Sequence, residues 1–386
     1  MTLDAGLSTA MQWLFWASSL TAVYAYAGYP LALIVLARLR RQPELPPAAS
    51  DALPGISMIV PVHNERATIE AKIQNTKVLQ YPREKLQVLF VSDGSTDGTV
   101  EAIESGREPW MELVVLQERG GKASALNAGL ERARNEIVVF TDAAIELAPE
   151  ALLEIVRPFQ IASVGCVSGE DRIAQSGGEG LYGRYELFLR RQESRISSIV
   201  GASGSFYAQR RELCGRFPAG LAPDFLSVLR TVERGSRAIS APGATGTMME
   251  VGSAGDEFRR KVRTVLRGIT TLVRYAHLLN PFAYGWFTFL LLSHKVARWL
   301  IPFFLACVFV SSAVLATQSG LYALAFVAQC VLYALAVLGL TGHDSLSRSL
   351  PVKVSLYFVL VNAATVSAWL KYAAGARQEL WAPSRR

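Results

Sequence analysis

The sequence has 386 residues, a formal charge of +7, 51% apolar and only 18% charged side chains. An average soluble chain carries about 45–50% apolar and about 25% charged residues, and here the apolar excess sits in the first forty and the last hundred positions. No CxxC pair, zinc finger or RNP motif occurs, which argues against a zinc site, a disulfide framework and a nucleic-acid partner. From Met11 to Leu39 the chain is nearly free of charge, with Asp4 before it and Arg38, Arg40 and Arg41 after it. About twenty apolar residues span a bilayer, and the trailing cations put Arg41 onward in the cytoplasm. A secretory signal has the opposite charge order. Gln42–Pro54 reads as a Pro-rich linker.

The middle of the chain alternates short apolar runs with helical patterns. Strands are expected at Ile56–Val60, Leu86–Val91, Leu113–Gln117 and Glu136–Thr141, with helices at Ala67–Leu79, Thr99–Ser105 and Lys122–Arg134. This alternation predicts βαβ units and a mainly parallel sheet. Each strand ends in a polar turn, where open α/β sheets place ligands. Glu179–Glu193 reads as an amphipathic helix with a solvated face. After Leu279 the chain turns apolar again. Phe282–Leu292 is expected to lie in the interface as an amphipathic or re-entrant segment, and Trp299–Ala316, Leu321–Leu340 and Val354–Ala373 each have spanning length. Three spans put the C-terminus outside, whereas Arg377, Arg385 and Arg386 argue for inside, with Trp381 an interface anchor. The expected organisation is an anchor over 1–41, a cytoplasmic catalytic unit over 42–279, and a membrane region over 280–386.

Seven segments carry chemistry. Pro61-Val62-His63-Asn64-Glu65 is followed about thirty residues later by Ser92-Asp93-Gly94-Ser95-Thr96-Asp97-Gly98. Gly120-Gly121-Lys122 opens a helix, where backbone N–H groups and an ammonium suit a diphosphate. Thr141-Asp142-Ala143-Ala144 ends a strand. Gly201–Ala208 is a small-residue turn, and Pro223-Asp224-Phe225 comes after it. Arg259–Thr264 is a basic helical segment that equally suits anionic lipid, just as Asp224 equally suits an N-cap.

In this order the segments resemble the membrane-bound family 2 glycosyltransferases of the polysaccharide-synthase kind. The resemblance implies an α/β, GT-A-like (Rossmann-like) catalytic domain with N- and C-terminal transmembrane helices. It implies an inverting transferase that moves a sugar from a nucleoside-diphosphate sugar, a UDP-sugar as the first expectation, to a lipid-linked or polysaccharide acceptor at the cytoplasmic face of the inner membrane. Glu65 and Asp93 would hold the nucleoside. Lys122, Arg260 and Arg263 would hold the diphosphate, Asp142 would hold Mg²⁺ or Mn²⁺ against it, and Asp224 would be the general base. The chain departs from the family's pattern at Ala144, where a second aspartate is usual, at Ser203, often aspartate, and at Thr264, usually tryptophan. One carboxylate with phosphates and water can still hold Mg²⁺. Those departures keep open a second reading, a catalytically impaired partner or nucleotide-sugar-binding subunit. A transporter or basic scaffold ranks last, because spans are few and intramembrane ionisable residues nearly absent. Partner subunits, donor sugar and linkage are not readable from these residues.

Overall fold

The computed structural model describes residues 5–40, 53–173, 178–248, 253–341 and 349–376. Arg41, the linker over 42–52, and the tail with Arg377, Trp381, Arg385 and Arg386 lie outside the described residues.

Strands β1 (Ile56–Val62), β2 (Leu86–Asp93), β3 (Met111–Leu116) and β4 (Ile137–Thr141) form a parallel half-sheet in the order β3-β2-β1-β4. Every residue of β1 and β2 is buried, as expected of central strands covered on both faces. The chain winds from β1 to one side through β2 and β3, then crosses to the other for β4. That reversal leaves a crevice at the carboxyl ends, the usual ligand position in such sheets. Helices Ile69–Val78, Thr99–Gly106 and Lys122–Arg132 connect the strands.

The second half breaks the βαβ pattern. Strands β5 (Glu146–Leu147), β6 (Val164–Ile173), β7 (Phe206–Arg210) and β8 (Arg237–Met248) complete an eight-stranded mixed sheet. β7 runs antiparallel to both β4 and β6, while β6 and β8 are parallel. The sheet is therefore less parallel than the alternation suggested, because β7 returns directly beside β4.

Among the described residues, four helices are long and apolar enough to cross a membrane: Ala5–Arg38, Trp286–Leu315, Gly320–Thr341 and Leu350–Ala373. The first also belongs to the core of the sheet unit, since Tyr29, Leu33 and Ala37 are buried in one cluster with Ile59, Leu89 and Phe140 of the sheet. The expected interfacial segment Phe282–Leu292 is divided. Pro281–Tyr284 forms one turn, Gly285 breaks the helix at φ 51°, and Trp286 opens the 30-residue span. The span stays continuous through a π turn at Leu292–Ala297, and so carries His294, Lys295 and Arg298. This corrects the expectation that the spans hold almost no ionisable residues.

The helix lying along the membrane region is Ala254–Arg274. Ser253 caps it by accepting from the Asp256 N–H at 3.1 Å. Its apolar stripe of Val262, Leu266 and Ile269 packs on Ala364 and Ala368 of the last span, where small side chains allow close approach. The arginines are thereby turned away from that contact.

Candidate active site

The two motifs thirty residues apart are one structure. The Asn64 N–H donates to Ser95 Oγ at 3.1 Å, Glu65 N–H to Thr99 Oγ1 at 2.9 Å, and Arg66 N–H to Asp97 Oδ2 at 3.0 Å. Asn64 Oδ1 accepts from the Thr96 N–H at 2.9 Å, with Asn64 itself at φ 52°. His63 Nδ1 lies 2.7 Å from the Asp93 carbonyl. Asp93 is fully buried, and its two carboxylate oxygens accept from the Gly120 and Gly121 N–H groups, each at 2.8 Å. The neighbouring Gly94 takes φ 62°, and a Cβ there would stand 2.9 Å from the Arg119 backbone nitrogen. Asp93 is thus the anchor that fixes the glycine loop ahead of Lys122. It does not line the cavity described below, and the role seen for it here is this supporting one.

Glu65 and Asp142 do face the crevice. Burial pushes the Glu65 carboxyl up, Thr68 opposes this with a hydroxyl at 2.7 Å, and the charges of Asp142 and Asp97 add to the rise. Asp142 accepts from Lys122 Nζ at 2.5 Å, and the same ammonium reaches the Gly204 carbonyl at 3.1 Å. Behind them, the buried Lys72 ammonium bonds Thr141 Oγ1 at 3.1 Å and the Ile145 carbonyl at 2.8 Å. Asn75 bonds both the N–H and the carbonyl of Leu147. Helix Ile69–Val78 so pins the turn that presents Asp142, a support not read from the sequence.

Ala144 lines the crevice at the position of the missing second aspartate, and no group of three or more His, Cys, Asp or Glu that could hold a metal occurs among the described residues. Asp142 is the carboxylate suited to a divalent cation. One of its oxygens already meets Lys122, so the remaining ligands would have to be substrate phosphates and water.

Asp224 lies in the first turn of helix Pro223–Glu233. Ala222 is the N-cap, with no side-chain cap bond, so the capping role that suited Asp224 locally is not what the residue does. Among the described residues its carboxylate takes no hydrogen bond or ion pair, and it opens into the crevice beside Gly204. Ser203, by contrast, is fully buried and structural. Its hydroxyl donates to Asp171 and accepts from the Phe206 N–H at 2.9 Å and the Ser205 N–H at 3.1 Å.

Arg260, Arg263 and Thr264 all reach the crevice from the Ala254–Arg274 helix, so this helix turns its basic side to the site. Arg260 is held bidentately by Glu257, at 2.7 and 2.9 Å. Burial lowers the Arg263 pKa and brings Arg267, one turn on, down to about 10, with the adjacent arginine adding in each case. Thr264 has no indole, yet one is present: Trp299 of the second span lines the crevice and packs on Gly268, where a Cβ would stand 2.9 Å from its ring. Sequence reasoning missed Trp299 and Arg267. The signal was there only as a tryptophan at the head of an apolar run.

Glu65, Lys122, Asp142, Asp224, Arg260, Arg263, Arg267 and Trp299 surround one cavity of about 330 Å³. It runs from Glu65, Lys122 and Asp142 past Asp224 to Trp299, Val361 and Thr365 of the membrane helices. Seven Lys and Arg side chains and four carboxylates line it, an excess of positive charge that suits a diphosphate.

This architecture, with a crevice at a sheet switch point and the Asp224 carboxylate facing it, is that of the GT-A fold. Residues 57–216 match the family model described as Glycosyl transferase family 2, so this part of the chain is a family 2 glycosyltransferase domain. It is 34% identical over 171 residues to a beta-monoglucosyldiacylglycerol synthase of Nostoc sp., covering 42% of this chain and 36% of that one. It is 26% identical over 238 residues to the poly-beta-1,6-N-acetyl-D-glucosamine synthase of Staphylococcus aureus, covering 58% and 57%. The aligned stretch thus spans only about a third to just over half of these curated relatives. Among solved structures, mannosyltransferase PcManGT from Pyrobaculum calidifontis, in complex with GDP-Man and Mn²⁺, superposes with a TM-score of 0.73 at 26% identity, over 94% of this chain and 99% of that one.

Proposed function

We propose that the protein transfers a sugar from a nucleoside-diphosphate sugar to a lipid-linked or growing glycan acceptor at the membrane, with inversion at the anomeric carbon. The observation that carries this reading is the single cavity with Lys122 and Asp142 at one end, Asp224 between, and walls from membrane helices at the other. The donor diphosphate lies against Lys122, Arg263 and the Gly120-Gly121 loop that Asp93 fixes, with Glu65 toward the nucleoside. Arg260 contributes once it exchanges Glu257 for phosphate. A divalent cation, of the kind present in the PcManGT complex, would be held by Asp142 with donor phosphates and water, and would offset charge on the leaving group. Asp224 takes the proton of the acceptor hydroxyl as its oxygen attacks the anomeric carbon. The new C–O bond forms while the bond to the diphosphate breaks on the opposite face. Lys122 and Arg263 stabilise the charge that develops there. The cluster of Arg38 and Arg40 after the first span favours a cytoplasmic site at the inner membrane.

The catalytically impaired reading has one observation in its favour, Lys122 Nζ on the lone Asp142 where Ala144 leaves no second carboxylate. Release of nucleoside diphosphate by the purified protein, across UDP- and GDP-sugars with and without Mn²⁺ or Mg²⁺, separates the two. Metal-dependent turnover with one donor, lost in Asp224→Asn, supports the transferase. Nucleotide binding without turnover supports the impaired subunit.

A further inference from the structure

Two membrane helices each contain a π turn, Tyr24–Gly28 in the first span and Leu292–Ala297 in the second. The two turns meet, with the Tyr24 and Ser293 hydroxyls 2.7 Å apart. A π turn inserts a residue and re-aims side chains, and such turns concentrate at functional sites. Here they bring Tyr26, His294 and Lys295 to the wall of the catalytic cavity.

The polar groups at this level are satisfied, with one exception. His294 bonds Glu193 at 2.5 Å and Glu186 at 3.1 Å. Tyr29 donates to Glu193 at 2.6 Å. Arg298 pairs with Glu186 and bonds the Tyr182 hydroxyl. Lys295 makes no hydrogen bond and no ion pair among the described residues, and its ammonium stands 5.8 Å from the ring centroid of Phe225, the residue after Asp224. Its charged neighbours are Glu186, Arg190, Arg298 and Glu193, none of them at the donor end. A cation in a spanning helix is costly unless something meets it.

A second cavity, apolar and about 230 Å³, shares Tyr26, Tyr182, Val361 and Asn362 with the first. It continues between the helices past Tyr357 and Phe358. Lys261 Nζ lies 4.8 Å from the Tyr182 ring centroid, at the junction of the two. An apolar channel among membrane helices that opens into a polar cavity, with the Lys295 ammonium on the wall of that cavity, is complementary to one kind of molecule.

We infer that the joined cavities form the acceptor site for an anionic lipid, its tail in the apolar groove, its phosphate or carboxylate on Lys295, and its reacting end at Asp224. The inference rests on the transferase reading and adds the acceptor class. The test is binding to the full-length protein in neutral detergent, read by native mass spectrometry. The probes are a long-chain alkyl phosphate, the alcohol of the same chain, and inorganic phosphate. The alkyl phosphate should bind at least about tenfold more tightly than the alcohol, as expected for one charge-assisted contact, and inorganic phosphate should not displace it. Lys295→Gln should bring the two lipids within about twofold, and Lys295→Arg should retain the preference. Val361→Trp should weaken both lipids. The nucleotide Kd should stay unchanged in all three variants. Equal binding of phosphate and alcohol by the parent protein, displacement by inorganic phosphate, or a nucleotide Kd that moves with Lys295→Gln would overturn the inference. Absence of donor turnover alongside the expected lipid binding would instead sink the transferase reading and leave the lipid site standing.

Discussion

The donor end and the membrane end of the cavity are built in different ways. At the donor end, three loops at neighbouring strand ends are sewn together by side chains bonding backbone N–H groups, with Asp93 across Gly120 and Gly121 at the centre. At the membrane end, single side chains arrive from separate helices: Tyr26 from the first span, Lys295 and Trp299 from the second, Val361 and Asn362 from the last. The first design fixes backbone and tolerates little change. The second fixes side chains through helix packing and can vary with the acceptor.

This contrast can be broken or sharpened by substitution. Asp224→Asn removes the base and should lower kcat by about 10²–10⁴, with the donor Kd retained in nucleotide titration. Retained kcat would show that the base lies elsewhere. Arg263→Met should raise the KM for donor by about tenfold or more, from the loss of a charge-assisted phosphate contact, and leave lipid binding intact. A change in lipid binding alone would move Arg263 to the other end. Asp93→Ala leaves two loop N–H groups without their acceptor, at a cost of about 3 kcal/mol from two bonds to a charged group. It should appear as a lowered apparent melting temperature together with weaker nucleotide binding.

Lys72 gives a pH signature. Burial is the main cause that lowers its pKa to about 7, against the pull of Asp142 and Glu146. Its folded-state pKa is thus below the unfolded one, so between about pH 7 and 9 the unfolded chain holds more protons there and stability from this group rises with pH. Below pH 7 the penalty of the buried charge is fully present. The apparent melting temperature of Lys72→Met, compared with the parent across that range, should lack this rise. The smallest effect is expected from the exposed ion pair of Arg134 and Glu112. Arg134→Ala should change stability by no more than about 0.5 kcal/mol and activity not at all.

The sequence made the donor half legible because its information is local. Strand, turn and helix succeed one another, and the polar turn residues are the ones that bond. The order Glu65, Asp93, Lys122, Asp142, Asp224 could be read off, although the supporting role of Asp93 could not. Its bond to Gly120 and Gly121 joins loops 27 and 28 residues apart. β5 through β8 went unread because β7 inserts antiparallel beside β4, a pairing no local period announces. At the membrane end, Thr264 looked like the loss of an indole because the tryptophan that fills the space, Trp299, comes from another element. Lys295 and Arg298 stand just before the expected span Trp299–Ala316, and the π turn that extends the span back through Lys295 has no sequence mark.

The most direct test of one continuous site is transfer itself. Full-length protein in vesicles would be given an isotope-labelled nucleotide sugar that supports turnover, and the lipid fraction would be analysed by mass spectrometry for Lys295→Gln, Asp224→Asn and the parent. The account predicts label in lipid product for the parent, little with Asp224→Asn, and a reduced yield with Lys295→Gln that higher acceptor concentration restores. Label that never enters the lipid fraction while nucleoside diphosphate is still released would contradict a membrane acceptor, and with it the single cavity joining donor to bilayer.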